Sequence, residues 1–72
     1  MAESSFLARF GRRVRELREA KGFSQEAFAD ECRLDRTYIS GVERGKRNIG
    51  IQNARVIAKA LGVSLSRLFE GL

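Results

Sequence analysis

Arg36, Thr37, Ser40 and Arg44 stand close together, and a helix through them would turn them all one way. At roughly 100° per residue they fall with Gly41 in one arc, whereas Leu34, Asp35, Ile39 and Val42 occupy the other side. The chemistry this face offers is hydrogen bonding to flat, polar edges. A guanidinium can donate two parallel bonds to guanine O6 and N7, and the short hydroxyls of Ser and Thr donate or accept. An ordinary solvated face mixes Lys and Glu in i,i+4 pairs, but this one carries no carboxylate. Gly41 costs a helix interior about 1 kcal/mol relative to Ala. The expected return is a bare spot on the outward face that lets a groove wall approach. Tyr38 falls at the edge of the arc, suited either to packing or to a phosphate bond.

The local elements that must position these groups are well marked. Asp35 is a good N-cap, able to accept from the N–H of Thr37 or Tyr38, and Leu34 and Ile39 are spaced as a hydrophobic staple. Gly45 suits the left-handed position that closes a helix. Lys46, Arg47 and Asn48 follow in a loop, placed for phosphates, which hold register without reading sequence. A preceding helix begins after the N-cap Ser24, with Phe23 and Phe28 as a second staple. Gln25 is then its first residue, at a helix start that seats a phosphate well. Ala29 is small where two helices would cross, and Phe28 and Cys32 face the core. Two short helices joined by a tight turn form a unit that inserts its second helix into the major groove of DNA.

This pattern resembles the phage-repressor-like, Cro-type helix-turn-helix family, also called the xenobiotic-response-element family. Gln25, Phe28 in the usual Leu place, Ala29, Leu34, Ile39, Ser40, Glu43 and Gly45 carry the likeness. LREAKGFSQEAFA looks like the family's first helix running into its second, and ARVIAKALGVSLSRLF like its fourth and fifth. Within the family, LDRTYISGVERGKRN is most similar to the controller proteins of bacterial restriction-modification systems. The resemblance implies an all-α, compact five-helix, lambda-repressor-like DNA-binding domain over residues 1–72. It also implies that Arg18 and Glu43 pair as a partly buried brace holding the recognition helix on the first helix. One position departs from the pattern. Arg33 stands where the family often has a turn glycine, so either a left-handed non-glycine residue costs roughly 1–2 kcal/mol or the turn takes another shape.

Composition agrees. Seventy-two residues make one small domain with a modest core. The net charge is +5, pointing to a polyanionic partner. Residues 33–48 hold Arg33, Arg36, Arg44, Lys46 and Arg47 against only Asp35 and Glu43. Residues 22–32 hold only Glu26, Asp30 and Glu31, so the body of that helix repels phosphate and its N-terminus alone is a backbone contact. No apolar run reaches the length of a membrane span, and MAESSFLARFGRR lacks the features of a secretory signal. A single cysteine permits no internal disulfide, which suits the cytoplasm. There is no histidine and no glycine-rich phosphate loop. An enzyme, a metal site or a cofactor is not expected.

The remainder reads as scaffold. Leu7, Phe10, Val14 and Leu17 form a stripe on a first helix closed by Gly22. Gly50 caps a fourth helix whose stripe is Ala54, Ile57, Ala58 and Leu61, and Gly62 ends it. Ser64 caps a short fifth helix. Its apolar residues Leu65, Leu68, Phe69 and Leu72 exceed what the core needs, and the surplus, with Val56 and Ala60 beside it, is expected to meet a second copy. The expected function is therefore a homodimeric regulator of transcription on a pseudo-palindromic double-stranded operator. It would act by blocking RNA polymerase or helping to recruit it. Two alternatives remain open at this point: an antitoxin-type module that also binds a partner protein, and a helix-turn-helix fold used only for protein–protein contact.

Overall fold

The computed structural model describes residues 2–72, with side chains from Phe6 onward. Five helices follow one another: α1 Ala2–Ala20, α2 Gln25–Cys32, α3 Arg36–Glu43, α4 Ile51–Leu61 and α5 Leu65–Leu68. Among the described residues there is no strand. α1 packs chiefly on α3, α2 on α3 and α4, and α4 on α5.

The four longer helices all stop in the same way. The N–H groups of Phe23, Leu34, Lys46 and Val63 reach back to the carbonyls of Arg18, Ala29, Gly41 and Ala58. The preceding N–H groups, of Gly22, Arg33, Gly45 and Gly62, bond to those of Glu19, Asp30, Val42 and Lys59. This closure needs one left-handed residue. Glycine supplies it at Gly22, Gly45 and Gly62, with φ of +87°, +73° and +71°. Arg33 supplies it at φ 58°, ψ 40°. Of the two outcomes open for this turn, the chain takes the strained one. Three starts are side-chain capped, with Ser24, Asp35 and Ser64 accepting from Ala27, Thr37 and Arg67, while Gly50 starts α4 with no side-chain bond.

The stripes converge on one core. Phe10 and Val14 of α1 meet Phe28, Ala29 and Cys32 of α2, Ile39 and Val42 of α3, and Ile57, Ala58 and Leu61 of α4. Phe23 tilts against Phe28 with ring centroids 5.7 Å apart, as the staple requires. Burial, and then the Glu31 charge, push the Cys32 thiol up to about 11, as befits an inert core residue. Leu68 needs a correction. Expected at a seam between copies, it is 0 % exposed and completes the chain's own core, so it has no surface to give a partner. Leu65 and Leu72 pack half-buried against the same core. Phe69 is 37 % exposed and stacks on Phe10 at 5.2 Å.

Gly11, unremarked in the sequence, explains how closely α1 and α3 cross. A Cβ there would lie 2.6 Å from the Glu43 carbonyl oxygen. The C-terminal end of α3 therefore rests backbone to backbone on α1, and any larger residue at Gly11 would push the helices apart.

Candidate nucleic-acid interface

The end of α3 is held by a fork of charge. Arg18 Nε and Nη2 donate to the two carboxylate oxygens of Glu43 at 2.6 and 3.1 Å. Gln25 Nε2 donates to the same carboxylate at 3.0 Å, and Arg18 Nη1 to the Phe23 carbonyl at 2.8 Å. The two charged side chains are only 8 % and 3 % exposed, so the pair is more deeply buried than expected. The bond to Glu43 raises the Arg18 pKa above its already high value. Burial opposes this, and the charges of Glu43 and Glu19 add to it. One motif thus ties together α1, the start of α2 and the end of α3. Gln25 belongs to it, since half of its amide is engaged inward.

At the other end of α3, Asp35 accepts from the Thr37 N–H at 3.2 Å and from the Thr37 hydroxyl. The hydroxyl bond holds the Asp35 carboxyl below its usual range. Slight desolvation opposes it, and the Thr37 N–H and the Arg36 charge assist. The Thr37 hydroxyl, bonded to Asp35, keeps acceptor capacity for a further partner.

Between these anchors, Arg36, Thr37 and Arg44 are exposed and Ser40 is half-buried, with Lys46, Arg47 and Asn48 exposed in the loop beyond. Arg13, Arg15, Arg18 and Arg67 all enter ion pairs with glutamates. Arg36, Arg44, Lys46 and Arg47 enter none of those found among the described residues. Asp35 offsets part of the charge at Arg36, and the face as a whole stays net positive, which is what attraction of a polyanion requires.

Gly41 needs the second correction. It is buried, and a Cβ on it would lie 2.8 Å from Arg47 Cγ. The stem of Arg47 folds back over it, so no groove wall can reach it. The Arg47 guanidinium continues over the Tyr38 ring, 5.2 Å from its centroid. The Tyr38 hydroxyl in turn accepts from Asn53 Nδ2 of α4 at 3.0 Å. Asn53 escaped the sequence reading, because only its position one turn into α4 opposite Tyr38 gives it a part.

A second surface is apolar. Phe6, Leu7, Phe10, Ile49, Ile51 and Phe69 line a groove of about 230 Å³. Phe6 is 38 % and Ile51 73 % exposed, the latter on the first turn of α4. The signal for it was Ile51 itself, which continues the face of Ala54, Ala58 and Leu61 to the first turn of α4 yet stays exposed there.

The helix-turn-helix family matches residues 14–68. The chain is 46% identical over 65 residues to the control protein C.MunI of a Mycoplasma species, across 89% of this chain and 88% of that protein. The crystal structure of the restriction-modification controller protein C.AhdI from Aeromonas hydrophila superposes with a TM-score of 0.89 at 46% identity, across 94% of this chain and 99% of that one. The controller protein C.Esp1396I, solved as a tetramer in complex with its natural 35 base-pair operator, superposes with a TM-score of 0.82 at 42% identity, across 90% and 86%. No helix among the described residues is long and apolar enough to cross a membrane.

Proposed function

The chain belongs to the helix-turn-helix family, and within it to the restriction-modification control proteins; from that premise we propose that it binds a pseudo-palindromic operator as a homodimer and regulates transcription in the cytoplasm. The observation that carries the reading is the exposed, net-basic face of α3 and its loop, on a helix braced at both ends. In this reading α3 enters the major groove. Arg36 takes a guanine through its bidentate fork, Arg44 a second base or phosphate, and Ser40 a short polar contact. Thr37 offers its exposed hydroxyl as a further short polar contact. Lys46, Arg47, Asn48 and the start of α2 at Gln25 hold the backbone, with Tyr38 at the rim. Residues 1–72 act as one DNA-binding domain and need no cofactor.

A single small domain covers too little DNA for a specific site, and C.Esp1396I meets its operator as a tetramer. A second copy of this chain is the natural occupant of the apolar groove. Ile51, Phe6 and Phe69 form the seam, with Leu65 and Leu72 at its margin. Two recognition helices would then sit about 34–36 Å apart, one turn of the duplex. Regulation is by occupancy: the bound dimer blocks RNA polymerase at one position and helps recruit it at another, controlling its own gene and that of a nuclease. Hydroxyl-radical footprinting upstream of the chain's own gene, with sedimentation at micromolar protein, tests this. A dimer protecting two patches one turn apart is expected. A monomer protecting a single unrepeated patch would overturn the dimer, and no protection on any selected duplex would overturn the DNA reading.

A further inference from the structure

We propose that Asn53 is a positioning residue for DNA binding, acting through Tyr38 on Arg47, and that Gly41 is the slot that makes this possible. The inference rests on the DNA-binding reading. Arg47 follows the helix closure at Gly45, in a loop where a long side chain would ordinarily sample many rotamers. Ordering such a side chain on binding carries an entropic cost. In this chain much of that ordering is already done in the free protein. The stem lies where Gly41 has no side chain, and the guanidinium lies over Tyr38. A cation over an aromatic face is attracted by the ring's quadrupole, but only if the ring stays in place. Tyr38 is held by the bond from Asn53 to its hydroxyl oxygen. That bond occupies the oxygen as an acceptor and leaves the O–H proton free to donate. Asn53 therefore has two effects at once: it fixes the platform for Arg47 and turns the Tyr38 proton toward any phosphate beside it. A residue of the fourth helix, outside the helix-turn-helix, thereby sets how well the loop arginine serves the duplex.

The test uses the full chain and a duplex enriched by the wild type from a random-sequence library. Asn53→Ala should weaken binding to that duplex about three- to tenfold, the worth of one neutral hydrogen bond. In an Arg47→Ala background the same change should cost clearly less than in the wild type, since the platform has no cation left to hold and only the Tyr38 proton is still affected. Gly41→Ala should also weaken binding, by displacing the Arg47 stem, while leaving the melting temperature unchanged or higher because Ala favours the helix. A readout independent of DNA is available. The Arg47 side-chain protons should be shifted upfield by the Tyr38 ring current in the wild type and return to ordinary positions in Asn53→Ala and Gly41→Ala. The chain's one tyrosine, with no tryptophan, makes Tyr38 fluorescence a second reporter of the same contact. An undiminished Asn53→Ala effect in the Arg47→Ala background would overturn the proposal, because Asn53 would then act alone. Wild-type affinity in Asn53→Ala would overturn it too. A wild type that enriches no duplex would remove the DNA reading and this inference together, while the ring-current shift would still report whether the contact exists.

Discussion

Breaking the Arg18–Glu43 fork should destabilise the domain more than any exposed charge change. Replacing Glu43 by Gln keeps the shape but removes the charge that faces Arg18 at 2.6 and 3.1 Å. A fully buried broken pair costs about 3–5 kcal/mol. Arg18 keeps the Phe23 carbonyl at 2.8 Å and has the half-exposed Glu19 at 3.8 Å, so the expected cost is lower, about 2–4 kcal/mol. Arg18→Met should cost more, because it leaves the Glu43 carboxylate, 3 % exposed, with Gln25 as its side-chain donor. A domain of this length has roughly 4–11 kcal/mol of stability in all. At about 4–8 °C per kcal/mol for a domain of this size, Glu43→Gln should lower the melting temperature by roughly 8–32 °C and Arg18→Met by more. The double change Arg18→Met with Glu43→Leu should recover most of the loss, since an apolar pair can replace a buried ion pair at little cost. Circular dichroism melts of the wild type, Arg18→Met, Glu43→Leu and the double close the cycle, with Glu43→Gln measured beside them. Single effects below about 1 kcal/mol that simply add would refute the coupling.

Arg33→Gly should stabilise the domain by about 0.5–1.5 kcal/mol, because the left-handed penalty of roughly 1–2 kcal/mol outweighs the added freedom of the unfolded chain; a lower melting temperature would show that the turn is not strained. The lowered Asp35 carboxyl makes a pH prediction. Its contribution should be full above the ordinary carboxylate range near about 4 and disappear as pH falls through its lower folded value. The stability gap between wild type and Asp35→Ala should therefore close in acid, and a pH-independent gap would contradict the cap. Ile51→Glu should give a folded monomer in sedimentation, whereas Leu68→Glu should abolish folding. A dimeric Ile51→Glu protein would move the seam elsewhere.

Most of the fold was legible because its signals are local. Caps, staples and helix-closing glycines act over four or five residues, and the stripes on α1 and α4 repeat often enough to be counted. The errors lie where distant residues meet. A helix angle puts Gly41 at the rim of the outward arc, but nothing local tells that Arg47 folds back to cover it. On a helix as short as α5 there are too few turns to say which apolar residue sinks, and Leu68 did. Gly11 carries no local signal of its role, because its use depends on the α3 carbonyls above it. Asn53 carries no signal by type and acquires a role only when α4 brings it to Tyr38. The Arg18–Glu43 pair was legible through family resemblance, but its bidentate geometry and the share taken by Gln25 were not.

The central claim is that α3 reads bases through Arg36. The direct measurement is the affinity of wild type and Arg36→Ala for the enriched duplex and for a random duplex, across a range of salt. The wild type should prefer the enriched duplex by about 10³-fold or more, with affinity falling steeply as salt rises. Arg36→Ala should lose roughly 1–3 kcal/mol on the enriched duplex through its base contact, and far less on the random one. Equal losses on both duplexes would contradict base reading by Arg36, and a wild type with no preference between them would contradict the account as a whole.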